Sequence, residues 1–493
     1  MRTVGTAVCC HAVVGLLTTA GCLKPNCPNS ALGTFDPARG YRFETLDPGD
    51  GNTDDLFVCV SFSGGGTRAA AFAYGVLMGL DEITLPTARA DGSPATMLDE
   101  VDMISSVSGG SFTAMGYGLW GKGLFDGRFR RRFLERNVQL FLLLNLLRPK
   151  NLLLIPSFLL DTSDIAATFY NQRVFDEHTY QDLLDRNRRP LIVVNATDLT
   201  RRHRFAFTQD DFDLLGSDLA SLPVGWAVAA SSAFPILLSP LRLQYFHGQP
   251  LNDAVKAVLA APPRSRSPRH ELWARSLLVN DAGRTAEAEI DGRRHRYMYL
   301  LDGGVADNLG VTAFIESFRT GAVRRLIEQE RLKRLAIVIV DAATDPPEEL
   351  EGKAASPGIL TVGERSASTA IHAHSAVLTA TIRFALLEAQ PLAREVQRQC
   401  REMIGERCPD LSLDDWRPVR EIEGYVVDVD FYKVSDGALR EDLLEMITSF
   451  FLPVHDVQKL IDAGRRVVRE HPEIRRLAED LEADAKKAAD DAS

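Results

Sequence analysis

An excess of positive charge is missing from this chain of 493 residues: 56 Lys and Arg stand against 67 Asp and Glu, for a formal charge of −11. A phosphate backbone is bound through a basic face, so no nucleic acid is expected as partner. Cysteine is sparse too. Cys9, Cys10, Cys22, Cys27, Cys59, Cys400 and Cys408 form no C-x-x-C pair and no Cys/His ligand spacing, which argues against a structural zinc site. Cys400 and Cys408 lie close enough in sequence to pair in an oxidising envelope. His372 and His374 are two apart in a helical pattern and point to different faces, so no metal is expected there either. No cofactor is expected: the glycine runs lack both the Gly-Lys-Ser/Thr of a phosphate loop and the G-x-G-x-x-G of dinucleotide binding. No internal repeat is present.

An apolar run of bilayer length is also lacking beyond the N-terminus. Residues 138–160, "VQLFLLLNLLRPKNLLLIPSFLL", are split by Arg148, Pro149 and Lys150, and neither half spans a membrane. Two readings stay open for this stretch. It is a helical pair packed on the core, or an apolar surface that dips into a membrane.

The first residues do carry a signal. Arg2 is the sole charge before an apolar run, "VGTAVCCHAVVGLLTTA", that ends at Gly21–Cys22. A charged start, an apolar middle and a small-residue end describe a secretory signal. "TTAGC" resembles a bacterial lipobox, in which Cys22 is lipidated after cleavage; Thr19 stands where that motif usually has Leu. The expected order is a signal peptide over 1–21, then a Pro/Gly/Asn-rich tether over 22–53. The chain is therefore expected as an exported envelope lipoprotein held at a membrane by Cys22, with a plain signal peptide as the alternative.

Beyond the tether the chain is α/β in pattern. "LFVCVSF" (56–62), "VDMISSV" (101–107), "LIVVN" (191–195), "YMYLL" (297–301) and "LAIVIV" (335–340) are short apolar runs rich in β-branched and aromatic residues. Such runs suit buried strands of a largely parallel sheet, with helices between them. A later strand is expected in "YVVDVDFYKV" (425–434), and an acidic helical tail over 473–493, read as a solvated end. The basic, Pro/Ser-rich stretch 262–275, "PPRSRSPRHELWAR", reads as an exposed insertion loop, with contact to anionic headgroups as the minority reading. Residues 345–358 read as a linker or an exposed loop.

In such sheets ligands bind beyond the carboxyl ends of the strands. Gly64, Gly65 and Gly66 come directly after the first strand and open a helix, which gathers backbone N–H groups suited to an anion. The second strand ends at "SVSGGSF" (106–112). Matching G-x-S-x-G leaves Ser108 and Ser111 tied, one glycine each. Position separates them. Ser108 succeeds the strand at once and is flanked by Gly109 and Gly110, whereas Ser111 sits a turn into the helix beside bulky Phe112. Ser106 replaces the first elbow glycine. No histidine stands out as base, since His178, His203, His247, His270 and His295 lie in polar stretches. Asp302, ending its strand before Gly303 and Gly304, is the alternative acceptor for the serine proton.

Four motifs in order, "SGGGTR" (63–68), "SVSGGS" (106–111), "AVAASSAFP" (227–235) and "DGGVADN" (302–308), resemble the patatin-like phospholipase family, of a bacterial lipoprotein type. The resemblance implies a three-layer α/β/α fold with a mostly parallel central sheet. It implies Ser108 as nucleophile and Asp302 as dyad partner, with elbow residues Ser106, Gly109 and Gly110 and the motif glycines Gly303 and Gly304. Gly64, Gly65, Gly66 and Arg68 match the oxyanion loop, and Ala230, Ser231 and Pro235 a structural motif beside the site. Ser63 stands where some members have Asp. The implied activity is hydrolysis of phospholipids or other lipid esters. A thioesterase or acyltransferase on the same sheet, and an idle envelope lipoprotein, are the rivals. The expected catalytic region is 54–345 with an insertion near 253–296. A helical extension, 346–472, is expected to pack on it, and "ITSFFLPVHDVQKLIDAGRRVV" (447–468) resembles the helical end of such proteins.

Overall fold

The computed structural model describes residues 27–53, 55–146, 162–234, 238–278, 290, 294–344, 359–407 and 422–492. Cys22, Pro235, Cys408 and the stretch 345–358 lie outside the described residues.

Eight strands form the main sheet. They are β1 (Leu56–Phe62), β2 (Val101–Val107), β3 (Leu191–Asp198), β4 (His203–Ala206), β5 (Leu241–Gln244), β6 (Tyr297–Asp302), β7 (Arg334–Asp341) and β8 (Glu423–Asp430). The order is β8-β7-β1-β2-β3-β6-β5, with β4 also on β3. β8, β7, β1, β2 and β3 are mutually parallel. All residues of β1 and β2 are buried, as suits largely apolar strands covered on both faces, and the buried Asp102 is satisfied by Arg189 and the Val58 N–H. β4, β5 and β6 depart from the parallel rule; β6 runs antiparallel to both β3 and β5.

Alternation sends neighbouring side chains to opposite layers. Phe62 and Ile192 face α2 (Gly109–Trp120), where Gly110 and Gly118 receive them. Met103, Leu191 and Val193 face the other layer, with Ala313 and Glu316 of the helix Thr312–Thr320. α1 (Gly66–Asp81) lies beside α2, and the Thr113 hydroxyl bonds the Ala70 carbonyl at 2.8 Å. α3 is the buried helix Val224–Ser231. α4 (Val454–Glu470) packs on α1 so tightly that a Cβ at Gly75 would stand 2.1 Å from the Ile461 oxygen.

Three expectations need correction. The tether is docked from Asn29 onward. Ser30–Ala31 pairs with Ser217–Asp218, Tyr41, Phe43 and Leu46 enter the core, and Arg42 forms ion pairs with Asp210 and Asp213. The basic stretch 262–275 is no exposed loop throughout. From Pro268 it is a helix that buries Trp273 completely and pairs Arg269 with Asp211 and Glu316. The tail is attached through its first turns: Ile474 and Leu477 are buried, the Tyr425 hydroxyl donates to Asp480, and Arg334 pairs with Asp484. Each depends on contacts with residues distant in sequence, which local composition does not show.

The helix Val138–Leu146 divides the two readings of its run by face. Val138 is buried and Phe141 stacks on Phe169, while Leu140 and Leu144 are exposed. Among the described residues no helix is long and apolar enough to cross a membrane. His372 and His374 are both exposed on the helix Ile359–Arg383.

Candidate active site

Ser108 follows β2 directly and opens α2 with φ 48° and ψ −119°. Residues with a Cβ avoid that region, at a cost on the order of 1–3 kcal/mol. Two contacts hold it there. The Ser108 N–H donates to the Ser231 hydroxyl at 2.8 Å, and Gly109 lets α2 begin against the glycine loop, since a Cβ there would lie 2.0 Å from the Gly66 oxygen. Ser106, the departure from the elbow pattern, needs no unusual dihedral. It is extended strand, and its hydroxyl donates to the Val193 carbonyl at 3.3 Å. Ser111 is fully buried and bonds Ser231 at 3.0 Å, facing away from solvent.

The register explains how Asp302 reaches Ser108. Val107, the last residue of β2, lies opposite Asn195, and Asp302, the last of β6, lies opposite Ala196. β4 occupies the other edge of β3 from Asn195 to Asp198. β2 and β6 therefore share one edge of β3 and run toward each other until their ends meet. The antiparallel direction of β6 is what delivers a carboxylate to the carboxyl end of a parallel strand.

Asp302 is held by two backbone partners and one hydroxyl. Its N–H donates to Ala233 at 3.0 Å, its carbonyl accepts from Thr197 at 2.8 Å, and its carboxylate accepts the Gly304 N–H at 2.8 Å. The Gly303 N–H donates to the Ser231 carbonyl at 3.1 Å. Ser231 thus braces both the serine and the aspartate, and Ala230 is buried beside it in α3. Burial pushes the Asp302 carboxyl up to about 6; the Gly304 N–H and the Ser108 hydroxyl draw it part of the way back. The Ser108 hydroxyl is near enough to the carboxylate to favour its ionised form.

The glycine loop stands over the serine. A Cβ at Gly64 would be 3.4 Å from that of Ser108. Of the three glycines expected as oxyanion donors, Gly64 is already engaged: its N–H donates to the Asn308 carbonyl at 3.1 Å. The Thr67 N–H is engaged by the Ser449 carbonyl at 2.8 Å. Gly65 and Gly66, at the start of α1, have N–H groups with no partner among the described residues. Arg68 is buried, and burial lowers its guanidinium to about 10. Its guanidinium donates to the Ala342 carbonyl (2.9 Å), the Met446 carbonyl (2.5 Å) and the Thr448 hydroxyl (3.0 Å).

The sequence reading overlooked Asn195, Asn308 and Ser449. Asn195 donates to the Ser106 carbonyl and the Ser105 hydroxyl, both at 2.9 Å, and accepts from Arg204 at 2.6 Å. A polar residue closing the apolar run "LIVVN" was its available signal. Asn308 ends "DGGVADN"; nothing local marks Ser449. The histidines serve elsewhere: His270 on Asp211, His178 on Asp182, His203 on Arg204 and His247 on the His295 carbonyl. A polar cavity of about 260 Å³ on the other face is lined by Arg204, Asp211, Arg269, His270 and Glu316, not by Ser108 or Asp302. Its charges pair with one another. Among the described residues no group of three His, Cys, Asp or Glu is placed to hold a metal.

A strained serine at a strand-to-helix turn, beside a buried carboxylate and two unengaged N–H groups, is an arrangement suited to nucleophilic attack. The patatin-like phospholipase family model matches residues 60–315, just over half of the chain, and the chain belongs to that family. A comparison with curated proteins finds no match. Among solved structures, human GIVD cytosolic phospholipase A2 is similar at 14% identity and TM-score 0.43, over 88% of this chain and 61% of that one. The same enzyme in complex with methyl γ-linolenyl fluorophosphonate is similar at 13% identity and TM-score 0.41, over 88% and 60%. The chain thus spans about three fifths of those structures' length.

Proposed function

We propose that this protein hydrolyses phospholipids or related lipid esters through a Ser108–Asp302 dyad without histidine. The observation that carries the reading is the head-on meeting of β2 and β6, which sets the strained Ser108 against a buried carboxylate. A carboxyl raised to about 6 is a better base than an ordinary aspartate and is still ionised at neutral pH.

Asp302 takes the proton as Ser108 Oγ bonds to the ester carbonyl carbon, and the carbonyl oxygen becomes an oxyanion. The N–H groups of Gly65 and Gly66 donate to it; one such donor is worth about 3 kcal/mol. Collapse breaks the bond to the alcohol, which leaves with the proton from Asp302. Asp302 then deprotonates a water that attacks the acyl-enzyme, and the acid departs as Ser108 regains its proton. Arg68 keeps the glycine loop in place and touches no substrate.

The site works at a membrane surface, and the protein is an envelope lipoprotein held through Cys22. Large exposed apolar side chains support the membrane contact: Phe234 follows Ala233, which bonds Asp302, Val305 follows Gly304, and Leu140 and Leu144 lie on the helix Val138–Leu146.

A fluorophosphonate probe tests the nucleophile. Wild type is expected to be labelled on Ser108, mapped by mass spectrometry, and to turn over a p-nitrophenyl ester. Ser108→Ala should lose both and Ser111→Ala should keep both. Wild-type turnover by Ser108→Ala sinks the assignment.

A further inference from the structure

We propose that residues 446–451, outside the span matched by the family model, clamp the oxyanion loop from one side and touch lipid with the other, so that a lipid surface sets the loop's geometry. This rests on the reading of Ser108 as nucleophile with Gly65 and Gly66 as donors.

The inner side of the segment grips the loop through backbone carbonyls and a hydroxyl. The Ser449 carbonyl accepts the Thr67 N–H at 2.8 Å. The Met446 carbonyl and Thr448 hydroxyl accept from Arg68 at 2.5 and 3.0 Å. Thr67 and Arg68 come directly after the two unengaged donors, so these bonds decide where the donors point. The approach is close, since a Cβ at Gly66, whose φ is 62°, would stand 2.4 Å from the Ser449 oxygen. Phe450 packs against Phe112 of α2, with ring centroids 6.3 Å apart, which ties the clamp to the nucleophile's own helix as well.

The outer side is apolar and uncovered. Ile447 is 71% exposed and Phe451 is 40% exposed, on irregular backbone between charged helices. The Ser449 hydroxyl meets the Gln139 side chain at 2.9 Å, which joins the clamp to the helix that exposes Leu140 and Leu144. Isolated exposed apolar residues are ordinary. Here they sit on the same six residues that hold the oxyanion donors of a lipid hydrolase, so the occupant with matching chemistry is the acyl layer of its substrate surface. Thr448 and Ser449 are positioning residues. A lipid surface shifts the loop only if it favours the clamped arrangement over the loosened one, which apolar side chains carried on the clamp itself provide.

Turnover of a soluble p-nitrophenyl ester, with and without vesicles of non-hydrolysable diether phosphatidylcholine and phosphatidylglycerol, tests this. Wild type is expected to gain several-fold in kcat when vesicles are added. The pair Ile447→Ser and Phe451→Ser, made together, should keep the basal rate and lose the gain. Thr448→Ala should lose roughly tenfold in kcat at unchanged KM, because only transition-state stabilisation is weakened. If Thr448→Ala fails to fold by circular dichroism, Arg68→Lys takes its place with the same expectation. Wild-type kcat in that variant, no vesicle effect on wild type, or a full vesicle effect on the double variant overturns the proposal. Ser108→Ala in the same assay separates the two failures. Inactive Ser108→Ala with an unaffected clamp variant removes the clamp alone, whereas active Ser108→Ala removes the nucleophile and the clamp together.

Discussion

Replacing Asp302 by Asn should abolish turnover and yet stabilise the fold at neutral pH. Burial raises this carboxyl from 3.8 to about 6. Each unit is about 1.4 kcal/mol, so the ionised aspartate costs the folded state about 3 kcal/mol. Linkage gives the sign. A raised pKa means that the folded chain holds the proton more tightly than the unfolded one. Below about pH 4 the group is protonated in both states and the cost vanishes; as pH rises through about 6 the cost is complete. Asparagine has the same shape, still accepts from the Gly304 N–H and never ionises. The thermal midpoint of Asp302→Asn should therefore exceed that of wild type by a few degrees at pH 8, and the gap should close toward pH 4. Scanning fluorimetry across that range measures it. A gap that does not change with pH, or a wild type that is the more stable at pH 8, refutes the argument that desolvation dominates at Asp302.

Because Asp302 must be ionised to accept the serine proton, kcat/KM should rise about tenfold per unit below about pH 6 and flatten above it. A flat profile between pH 5 and 7 would remove Asp302 as the base. For the anchor, Cys22→Ala should move the protein from the membrane fraction to the soluble fraction of the cells that make it, without changing soluble-ester turnover. Unchanged partitioning would remove lipidation as the tether.

Much of the sheet was legible because its strands are short, largely apolar runs, as segments buried on both faces tend to be. The elbow was legible for a related reason. A serine directly after a strand, between small residues, has few conformations open to it, and Ser108 adopts the strained one. The docked strap from Asn29 and the helix around Trp273 were not legible. Their burial depends on partners such as Asp210, Asp213 and Asp211, which are distant in sequence.

The sequence by itself determined which residue types stand at the carboxyl end of the sheet: a serine between glycines, an aspartate before two more, and a glycine turn opening α1. Strand-end chemistry is local, and local patterns carry it. Only the tertiary structure decided which of those groups are available. The antiparallel run of β6 along the edge of β3 set Asp302 against Ser108, the Asn308 carbonyl engaged Gly64, and residues 446–451 took hold of Arg68 and Thr67. Strand direction and the fate of each N–H depend on chain segments up to hundreds of residues apart, which no spacing within a motif records.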